Sequence, residues 1–239
     1  MNLWIKFYDS FLNCLLVKFL WVLNCWSRLQ EQSQFGCIKS PRDERVLQVL
    51  GEVDRAEFLP VPFRQFAYLD MPVPIIEALG INCTMPSLVA LMADLLEFRE
   101  GQNVLEIGTG CGYSAAITKH LIGNGRLTTI EILFELHLLA RRNLQKHFGS
   151  ISGIAMVCGD GSIGYPSSGP YQRIYFTAAP GLNFNYQILF RQLAKPGILL
   201  FPVAPTGDLV ILRKDEAGKL SCGAYQNAVS FVHLQGTNR

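Results

Sequence analysis

The sequence has few charged residues, no closely spaced cysteine pair and no internal repeat. Charged residues are only 17% of the 239 residues and hydrophobic residues are 49%, which excludes a globally disordered chain and suits one domain with a buried core. Of the 21 basic and 19 acidic residues, four and two lie within residues 1–40, so residues 41–239 carry 17 of each. A neutral body lacks the basic surface on which nucleic-acid binding depends, so we expect no nucleic-acid partner.

The seven cysteines are scattered, and no CxxC pair occurs among them. An odd number of cysteines cannot all pair within one chain, and the spacing fits neither a zinc site nor a disulfide framework. We therefore expect free thiols, no metal site and a reducing, cytoplasmic location. Cys83 and Cys111 lie near the motifs described below, and we interpret both as small space-filling side chains because neither has an obvious histidine partner.

A hydrophobic segment, residues 3–26, precedes the body of the chain. Its apolar stretch is interrupted by two asparagines and by Lys18, and it is shorter than the roughly 20 apolar residues of a membrane span. A small-residue cleavage site is missing, which argues against a cleaved signal peptide. Three interpretations stay open: an interfacial helix at a membrane, a helix that docks on the body or on a partner, and an extension irrelevant to activity. We divide the chain into an N-terminal helical extension with its linker, residues 1–40, and one domain, residues 41–239.

In the body of the chain, continuous apolar stretches alternate with amphipathic ones. The pattern predicts helices from Ser40 to Leu50 and over residues 87–98, 113–122, 134–148 and 186–194. It predicts strands over residues 103–108, 126–132, 154–160, 173–179, 197–203 and 209–214, and residues 227–234 can close the sheet. Five prolines make residues 58–86 mostly loop. Apolar strands separated by amphipathic helices predict a Rossmann-like α/β fold, with a mostly parallel central sheet and helices on both faces.

The strand over residues 103–108 ends in a glycine-rich sequence, EIGTGCG. A loop that leaves a parallel strand and opens a helix needs glycine where its backbone approaches a ligand. The spacing differs from the dinucleotide fingerprint, and Glu131 ends the next strand about 20 residues later, where a carboxylate can bind a ribose hydroxyl. The pattern predicts a ribose-bearing cofactor, and a tight turn without ligand and a nicotinamide dehydrogenase are the alternatives.

The third strand ends in Gly159-Asp160-Gly161. Open α/β sheets bind ligands outside the carboxyl ends of their strands, which places Asp160 beside the same crevice. Its carboxylate can accept a hydrogen bond from the exocyclic amino group of adenine. Taken alone, the tripeptide fits an aspartate in a turn equally well.

Together these motifs resemble the S-adenosylmethionine-dependent methyltransferase fold and, more narrowly, the protein-L-isoaspartate (D-aspartate) O-methyltransferase family. The resemblance covers residues 41–234, and its most specific stretches are VLEIGTGCGYSAA (104–116), GDG (159–161) and TAAP (177–180). It implies a transferase that uses S-adenosyl-L-methionine to methylate the side carboxylate of L-isoaspartyl residues in damaged proteins. The methyl ester cyclises to a succinimide that reopens partly to normal aspartate, so the implied role is protein repair.

The resemblance also implies which residues form the site. Glu131 would bind the ribose hydroxyls, and Asp160 and Gly161 would flank the adenine. Thr84 falls where the family has a serine hydroxyl at the methyl-transfer centre, so it is the candidate for orienting the acceptor carboxylate; a helix cap before residues 87–98 is its alternative role. The residues implied to hold the methionine moiety are Glu106, Gly108, Thr109, Gly110 and Gly112, with Tyr113 and Ile132 as further cofactor-binding candidates.

The acceptor side departs from the family pattern. Residues 74–86 read PIIEALGINCTMP, without the family's Gln-Thr pair, and residues 229–233 read VSFVH where the family usually has V-R-F-x-P. Two other functions therefore stay open. One is a related methyltransferase for another peptide or small-molecule acceptor, and the other is a non-catalytic adaptor that retains the cofactor pocket.

The implied chemistry needs little from the protein. A carboxylate with a pKa of ~4 is ionised at neutral pH, so no general base is required, and we expect the four histidines to be structural or exposed. The protein must place the carboxylate oxygen in line with the methyl carbon and exclude water. We expect a monomer whose partner is a protein or peptide that carries isoaspartate.

Overall fold

The computed structural model describes residues 43–181, 183–204, 206–225 and 231–236. The predicted extension over residues 1–40, with its hydrophobic segment, lies outside the described residues. Within those four ranges, no helix is both long and apolar enough to cross a membrane.

The described chain opens with helix α1, Glu44–Glu52. Asp43 caps this helix, because its carboxylate accepts a hydrogen bond from the backbone N–H of Arg45 at 3.1 Å. One face of α1 is buried through Val46, Val49 and Leu50, as the apolar pattern predicts. Short 3₁₀ turns follow over Arg55–Phe58 and Val61–Phe66, and a third lies at Glu77–Leu79.

The prediction that residues 58–86 are mostly loop is wrong for part of this stretch. Two short strands, β1 (Val73–Ile76) and β2 (Ile81–Cys83), form an antiparallel pair. Gly80 reverses the chain between them with a φ of +65°. Pro74 is accommodated because a register shift follows it, and a two-stranded sheet consists only of edge strands.

The central sheet has seven strands in the order β5-β4-β3-β6-β7-β8-β9. The strands are β3 Asn103–Ile107, β4 Arg126–Glu131, β5 Ile154–Cys158, β6 Tyr171–Phe176, β7 Leu193–Val203, β8 Asp208–Lys214 and β9 Leu220–Tyr225. The five strands from β5 to β7 are parallel, whereas β8 and β9 are antiparallel to their neighbours. The order reverses between β3 and β6, which makes the carboxyl ends of these strands the switch point of the sheet.

Helices cover both faces of this sheet, as predicted. They are α2 Pro86–Leu96, α3 Tyr113–Ile122, α4 Phe134–Phe148 and α5 Gln187–Gln192. Successive side chains of β3 show the two faces, because Val104 belongs to the core cluster that holds α1 to α4 and Leu105 to the cluster that holds α5. The mostly parallel, Rossmann-like fold is therefore confirmed.

Two predicted boundaries near the end of the chain are wrong. The helix predicted over residues 186–194 ends at Gln192, and β7 starts at Leu193, because Leu193 is buried and pairs with Tyr171. In the described ranges the edge of the sheet next to β8 is β9, a strand that the sequence pattern did not predict. Residues 226–230 lie outside the described residues, and in the described part of that stretch His233 forms a bridge with Ala179.

Candidate active site

A cleft of about 690 Å³ opens at the carboxyl ends of β3, β4 and β6. Open α/β sheets bind their ligands at this switch point. Three segments form its walls: the loop that follows β3, the β1–β2 hairpin, and Val232–Gln235 near the end of the chain. The volume lies within the range of ~300–1,000 Å³ that is usual for small-molecule sites.

The loop after β3 needs glycine at two positions for different reasons. Gly108 has a φ of +99°, and a Cβ there would collide with the hydroxyl of Thr177, which donates a hydrogen bond to the Gly108 carbonyl at 2.5 Å. Gly110 has a φ of +57° and lines the cleft, and the nearest atom to an added Cβ is 3.9 Å away on Ile75. The Gly110 backbone is therefore open to a ligand from the cleft.

Glu131 at the end of β4 joins this loop to the cleft wall. Its carboxylate accepts hydrogen bonds from the backbone N–H of Gly110 at 2.9 Å and from that of Leu133 at 3.1 Å. Burial raises the pKa of Glu131, and the backbone hydrogen bonds oppose this rise. Each carboxylate oxygen can accept further hydrogen bonds, so Glu131 can bind hydroxyl groups of a ligand while it fixes the loop.

Glu106 lies beneath the loop and does not line the cleft. It is fully buried, and its two carboxylate oxygens accept hydrogen bonds from the hydroxyls of Thr129 at 2.5 Å and Tyr175 at 2.7 Å. Burial raises the pKa of Glu106 to about 7. The Thr129 hydroxyl is also 2.6 Å from that of Thr109, which lines the cleft. Glu106 is thus linked to the cleft through the hydroxyl groups of Thr129 and Thr109.

The Gly159-Asp160-Gly161 segment lies at the edge of the cleft and lines it through Gly161. Asp160 caps the 3₁₀ turn Gly161–Ile163, because its side chain accepts a hydrogen bond from the backbone N–H of Ser162 at 2.8 Å. Gly161 lines the cleft, and a Cβ there would lie 2.7 Å from Ile107. Asp160 is outside the lining and packs beside Gly236.

Thr84 lines the opposite wall, one residue after β2. The alternative role as a helix cap is wrong, because Met85 occupies the N-cap position of α2 and makes no side-chain capping bond. The Thr84 carbonyl accepts a hydrogen bond from Arg55 at 3.0 Å. The segment that carries Thr84 is therefore fixed through its backbone in the wall of the cleft.

Arg55 holds the acceptor wall together, a role that no sequence motif indicated. Its side chain is 1% exposed, and its guanidinium donates to five backbone carbonyls at 2.9–3.2 Å. These carbonyls belong to Ala67, Leu69, Met71, Cys83 and Thr84. One side chain thus connects the irregular stretch before β1 to the end of β2. An apolar pattern cannot indicate a buried arginine of this kind.

A segment near the end of the chain completes the cleft. The backbone of Ala179 donates to the carbonyl of Val232 at 2.8 Å and accepts from the N–H of Leu234 at 2.8 Å. His233 between them is exposed and lines the cleft. His120 and His147 contact each other through their Nε2 atoms at 2.9 Å, outside the cleft lining.

The comparison with known proteins agrees with this geometry. The family model of protein-L-isoaspartate(D-aspartate) O-methyltransferase matches residues 29–239. The chain belongs to this family. The protein-L-isoaspartate O-methyltransferase of Methanococcoides burtonii is 41% identical over 199 residues, which cover 81% of this chain and 93% of that protein. The family membership that the sequence motifs implied is therefore confirmed.

Solved structures show the same fold. A protein-L-isoaspartate O-methyltransferase structure superposes with a TM-score of 0.72 at 24% identity, covering 91% of this chain and 67% of that chain. A Plasmodium falciparum protein assigned to the same class, in complex with S-adenosyl-L-homocysteine, gives a TM-score of 0.67 at 20% identity and covers 87% of this chain and 97% of that chain.

Eight of the eleven site residues suggested by the family resemblance line the cleft. They are Thr84, Gly108, Thr109, Gly110, Tyr113, Glu131, Ile132 and Gly161. The other three, Glu106, Gly112 and Asp160, do not line the cleft. Gly112 forms the left-handed N-cap of α3 with a φ of +90°. Sequence reasoning missed Arg55 and Thr177, although Thr177 belongs to the TAAP stretch that carries the resemblance.

Proposed function

We propose that this protein transfers the methyl group of S-adenosyl-L-methionine to the side carboxylate of L-isoaspartyl residues in damaged proteins. The observation that carries the proposal is that one cleft is lined on one wall by the glycine loop and Glu131 and on the other by Thr84. The family membership supports the same activity. A cofactor site and an acceptor site that share one cleft are what a direct transfer requires.

The cleft fits the cofactor in size and in chemistry. The open backbone at Gly110 can receive the methionine moiety, Glu131 can accept hydrogen bonds from the ribose hydroxyls, and Gly161 can lie against the adenine. When bound, S-adenosyl-L-methionine supplies a methyl carbon that is already electrophilic because it is attached to a sulfonium. Asp160 would support the adenine site by holding the turn that begins at Gly161.

Thr84 and the apolar side chains around it would act on the acceptor. The Thr84 hydroxyl can donate one hydrogen bond to the isoaspartyl carboxylate and so orient its oxygen, a contribution of ~0.5–1.5 kcal/mol for an ordinary hydrogen bond. Ile75, Ile81 and Val232 line the same cleft, and their apolar side chains would limit water around a bound acceptor, which favours a transfer in which opposite charges are neutralised.

The charge of the cleft is suited to this transfer. In the part of the chain that the structure describes, no lysine or arginine lines the cleft. A cation beside the acceptor would stabilise the ionised carboxylate more than the transition state, in which that negative charge is being lost. Arg55 lies behind the acceptor wall and donates to backbone carbonyls there, so a neutral donor, Thr84, is left to orient the carboxylate.

A matched pair of peptides tests the function. One peptide carries an isoaspartyl residue and the other a normal aspartyl residue in the same sequence, and methyl-ester formation is measured by mass spectrometry with the full chain and S-adenosyl-L-methionine. We expect a methyl ester on the isoaspartyl peptide alone. Equal or absent methylation of both peptides, with S-adenosyl-L-homocysteine binding intact, would instead favour another acceptor or a non-catalytic adaptor.

We also propose that residues 1–40 are an extension to the catalytic domain at residues 41–239, and that the enzyme is a monomer. The family match begins at residue 29, so residues 1–28 lie outside it, whereas residues 29–40, which we assign to the linker, lie within it. Removal of residues 1–30 should leave methyl transfer intact and reduce any association with lipid vesicles in a flotation assay. Loss of folding would show instead that the segment docks on the domain, and light scattering of both forms reports the oligomeric state.

A further inference from the structure

Two buried cysteines from different segments meet in the wall of the cleft. Cys83 is the last residue of β2 and precedes Thr84, and Cys111 lies in the glycine loop. Each is 3% exposed, and both line the cleft. Each thiol shifts the pKa of the other, and the Cys83 thiol also lies 3.8 Å from the carbonyl of Thr84. The pair therefore connects the acceptor wall to the cofactor wall at the place where the two proposed ligands would meet.

The surroundings make the two thiols unequal. The contact with Cys111 lowers the pKa of Cys83 and outweighs the opposing effect of burial, and the charge of Arg55 lowers it further. The same contact with Cys83, together with burial, raises the pKa of Cys111. Arg55 donates to the backbone carbonyl of Cys83 at 3.0 Å, so its charge lies near the Cys83 side chain and favours a thiolate there. Cys83 is thus the nucleophilic thiol and Cys111 its proton-bearing partner.

We propose that Cys83 and Cys111 form a peroxide-sensitive thiol pair that oxidises to an intramolecular disulfide and thereby blocks cofactor binding. A small hydroperoxide can reach both thiols through the cleft. The effect on catalysis rests on the proposed function, whereas the reactivity of the thiols does not.

The chemistry balances with a hydroperoxide as the oxidant. The Cys83 thiolate attacks the peroxide O–O bond, so that an S–O bond forms and the other oxygen leaves as water or an alcohol after protonation. The Cys111 sulfur then attacks the Cys83 sulfur, the S–S bond forms, and the hydroxyl group leaves as water with the Cys111 proton. Two thiols lose two electrons and the peroxide gains them, and a dithiol reverses the reaction by exchange.

The disulfide would change the cleft because of where the two chains are held. An S–S bond is ~2.05 Å long, shorter than any hydrogen-bonded contact between two thiols. Its formation draws the two sulfur atoms together and so pulls on the end of β2 and on the glycine loop. Arg55 fixes the first segment through the carbonyls of Cys83 and Thr84, and Asn143 fixes the second by donating to the Cys111 carbonyl at 2.9 Å. The approach of the two segments therefore changes the shape of the cleft between them.

The experiment uses the full chain, reduced and then treated with hydrogen peroxide. Free thiols are alkylated, disulfides are mapped by mass spectrometry, and S-adenosyl-L-homocysteine is titrated by calorimetry before oxidation, after it and after a dithiol. We expect a Cys83–Cys111 disulfide, an affinity lower by at least ~10-fold and full recovery. Excess S-adenosyl-L-homocysteine added before the peroxide should protect both thiols. The exposed Cys158 and Cys222 should stay unprotected, which makes them internal controls.

Variants separate the pair from other oxidation. In Cys83→Ser, the affinity for S-adenosyl-L-homocysteine should be nearly the same before and after peroxide. In the double variant Cys158→Ser/Cys222→Ser, peroxide should lower that affinity as much as it does in the natural chain. The proposal is overturned if Cys83 and Cys111 stay reduced, or if the Cys83→Ser variant loses affinity as the natural chain does. If the variant does not fold, ligand protection of the natural chain decides. Absence of methyl transfer by the reduced protein would contradict the proposed function and leave the mapped disulfide as a separate result.

Discussion

Replacing Glu106 with glutamine should remove a loss of stability that the natural chain suffers as the pH rises. Glu106 is fully buried beneath the glycine loop, and its pKa is about 7 in the folded chain against 4.5 for an ordinary glutamate. The folded state keeps the Glu106 proton over a range in which the unfolded chain releases it. The contribution of Glu106 to the free energy of unfolding is therefore full below pH ~4.5 and is lost as the pH rises through about 7.

The size of the effect follows from the two pKa values. The difference between 4.5 and about 7 corresponds to roughly 3 kcal/mol, at about 1.4 kcal/mol for each pH unit. Glutamine has nearly the same shape as a protonated glutamate and, like it, carries both a donor and an acceptor. The acceptor can receive the Tyr175 hydroxyl, and the amide can donate to Thr129, whose hydroxyl can turn towards Thr109.

Urea unfolding at pH 5 and pH 8 measures this effect. Between these values the natural chain should lose roughly 2–3 kcal/mol more unfolding free energy than Glu106→Gln, with similar urea dependence. Glu216→Gln, at an exposed position, is the matched control and should follow the natural chain. If the unfolding free energies of the natural chain and of Glu106→Gln change equally between pH 5 and pH 8, the reasoning is refuted. Such a result would mean that Glu106 has the same pKa in the folded and unfolded chains.

Four further substitutions test the site, each with its own measurement. Glu131→Gln should weaken S-adenosyl-L-homocysteine binding by roughly 10–100-fold in calorimetry, because a charged hydrogen-bond acceptor is lost. Thr84→Val should lower kcat for the isoaspartyl peptide by roughly 3–10-fold and leave that affinity unchanged. Asp160→Ala should weaken S-adenosyl-L-homocysteine binding in the same calorimetric assay, because the turn at Gly161 loses its cap. Arg55→Met should cost roughly 3–5 kcal/mol in urea unfolding, because buried carbonyls lose their donor.

Each of these substitutions has an outcome that contradicts its premise. Glu135→Gln, at an exposed position on α4, controls for Glu131 and should bind like the natural chain. An unaltered rate in Thr84→Val would show that its hydroxyl does not orient the acceptor, and unchanged affinity in Asp160→Ala would show that the turn needs no cap. A stable Arg55→Met would mean that water can replace the guanidinium.

The cofactor half of the site could be predicted because its pattern is local. β3, its glycine loop and Glu131 follow each other within about 30 residues, and the continuous apolar strands before them fix where the backbone must turn. The strand order then brings Gly161 to the same edge of the sheet. Whether the side chain of Asp160 enters the cleft could not be predicted, since its direction depends on a hydrogen bond to Ser162.

The acceptor half depends on contacts between distant residues. Arg55 fixes carbonyls up to 29 positions away, and such a clamp leaves no periodic signal. The β1–β2 pair is hidden by prolines, and all but the last residue of β9 are exposed, so neither shows the alternation by which a strand is recognised. The contact between Cys83 and Cys111 likewise appears only once β2 lies against the glycine loop.

A structure of the protein in complex with S-adenosyl-L-homocysteine is the sharpest test of the proposed cleft. We expect the ribose hydroxyls to bind Glu131, the adenine to lie against Gly161, and the sulfur to face Thr84 across the cleft. A ligand bound outside the cleft, or inside it with the sulfur turned away from Thr84, would show that methyl transfer does not occur between these two walls.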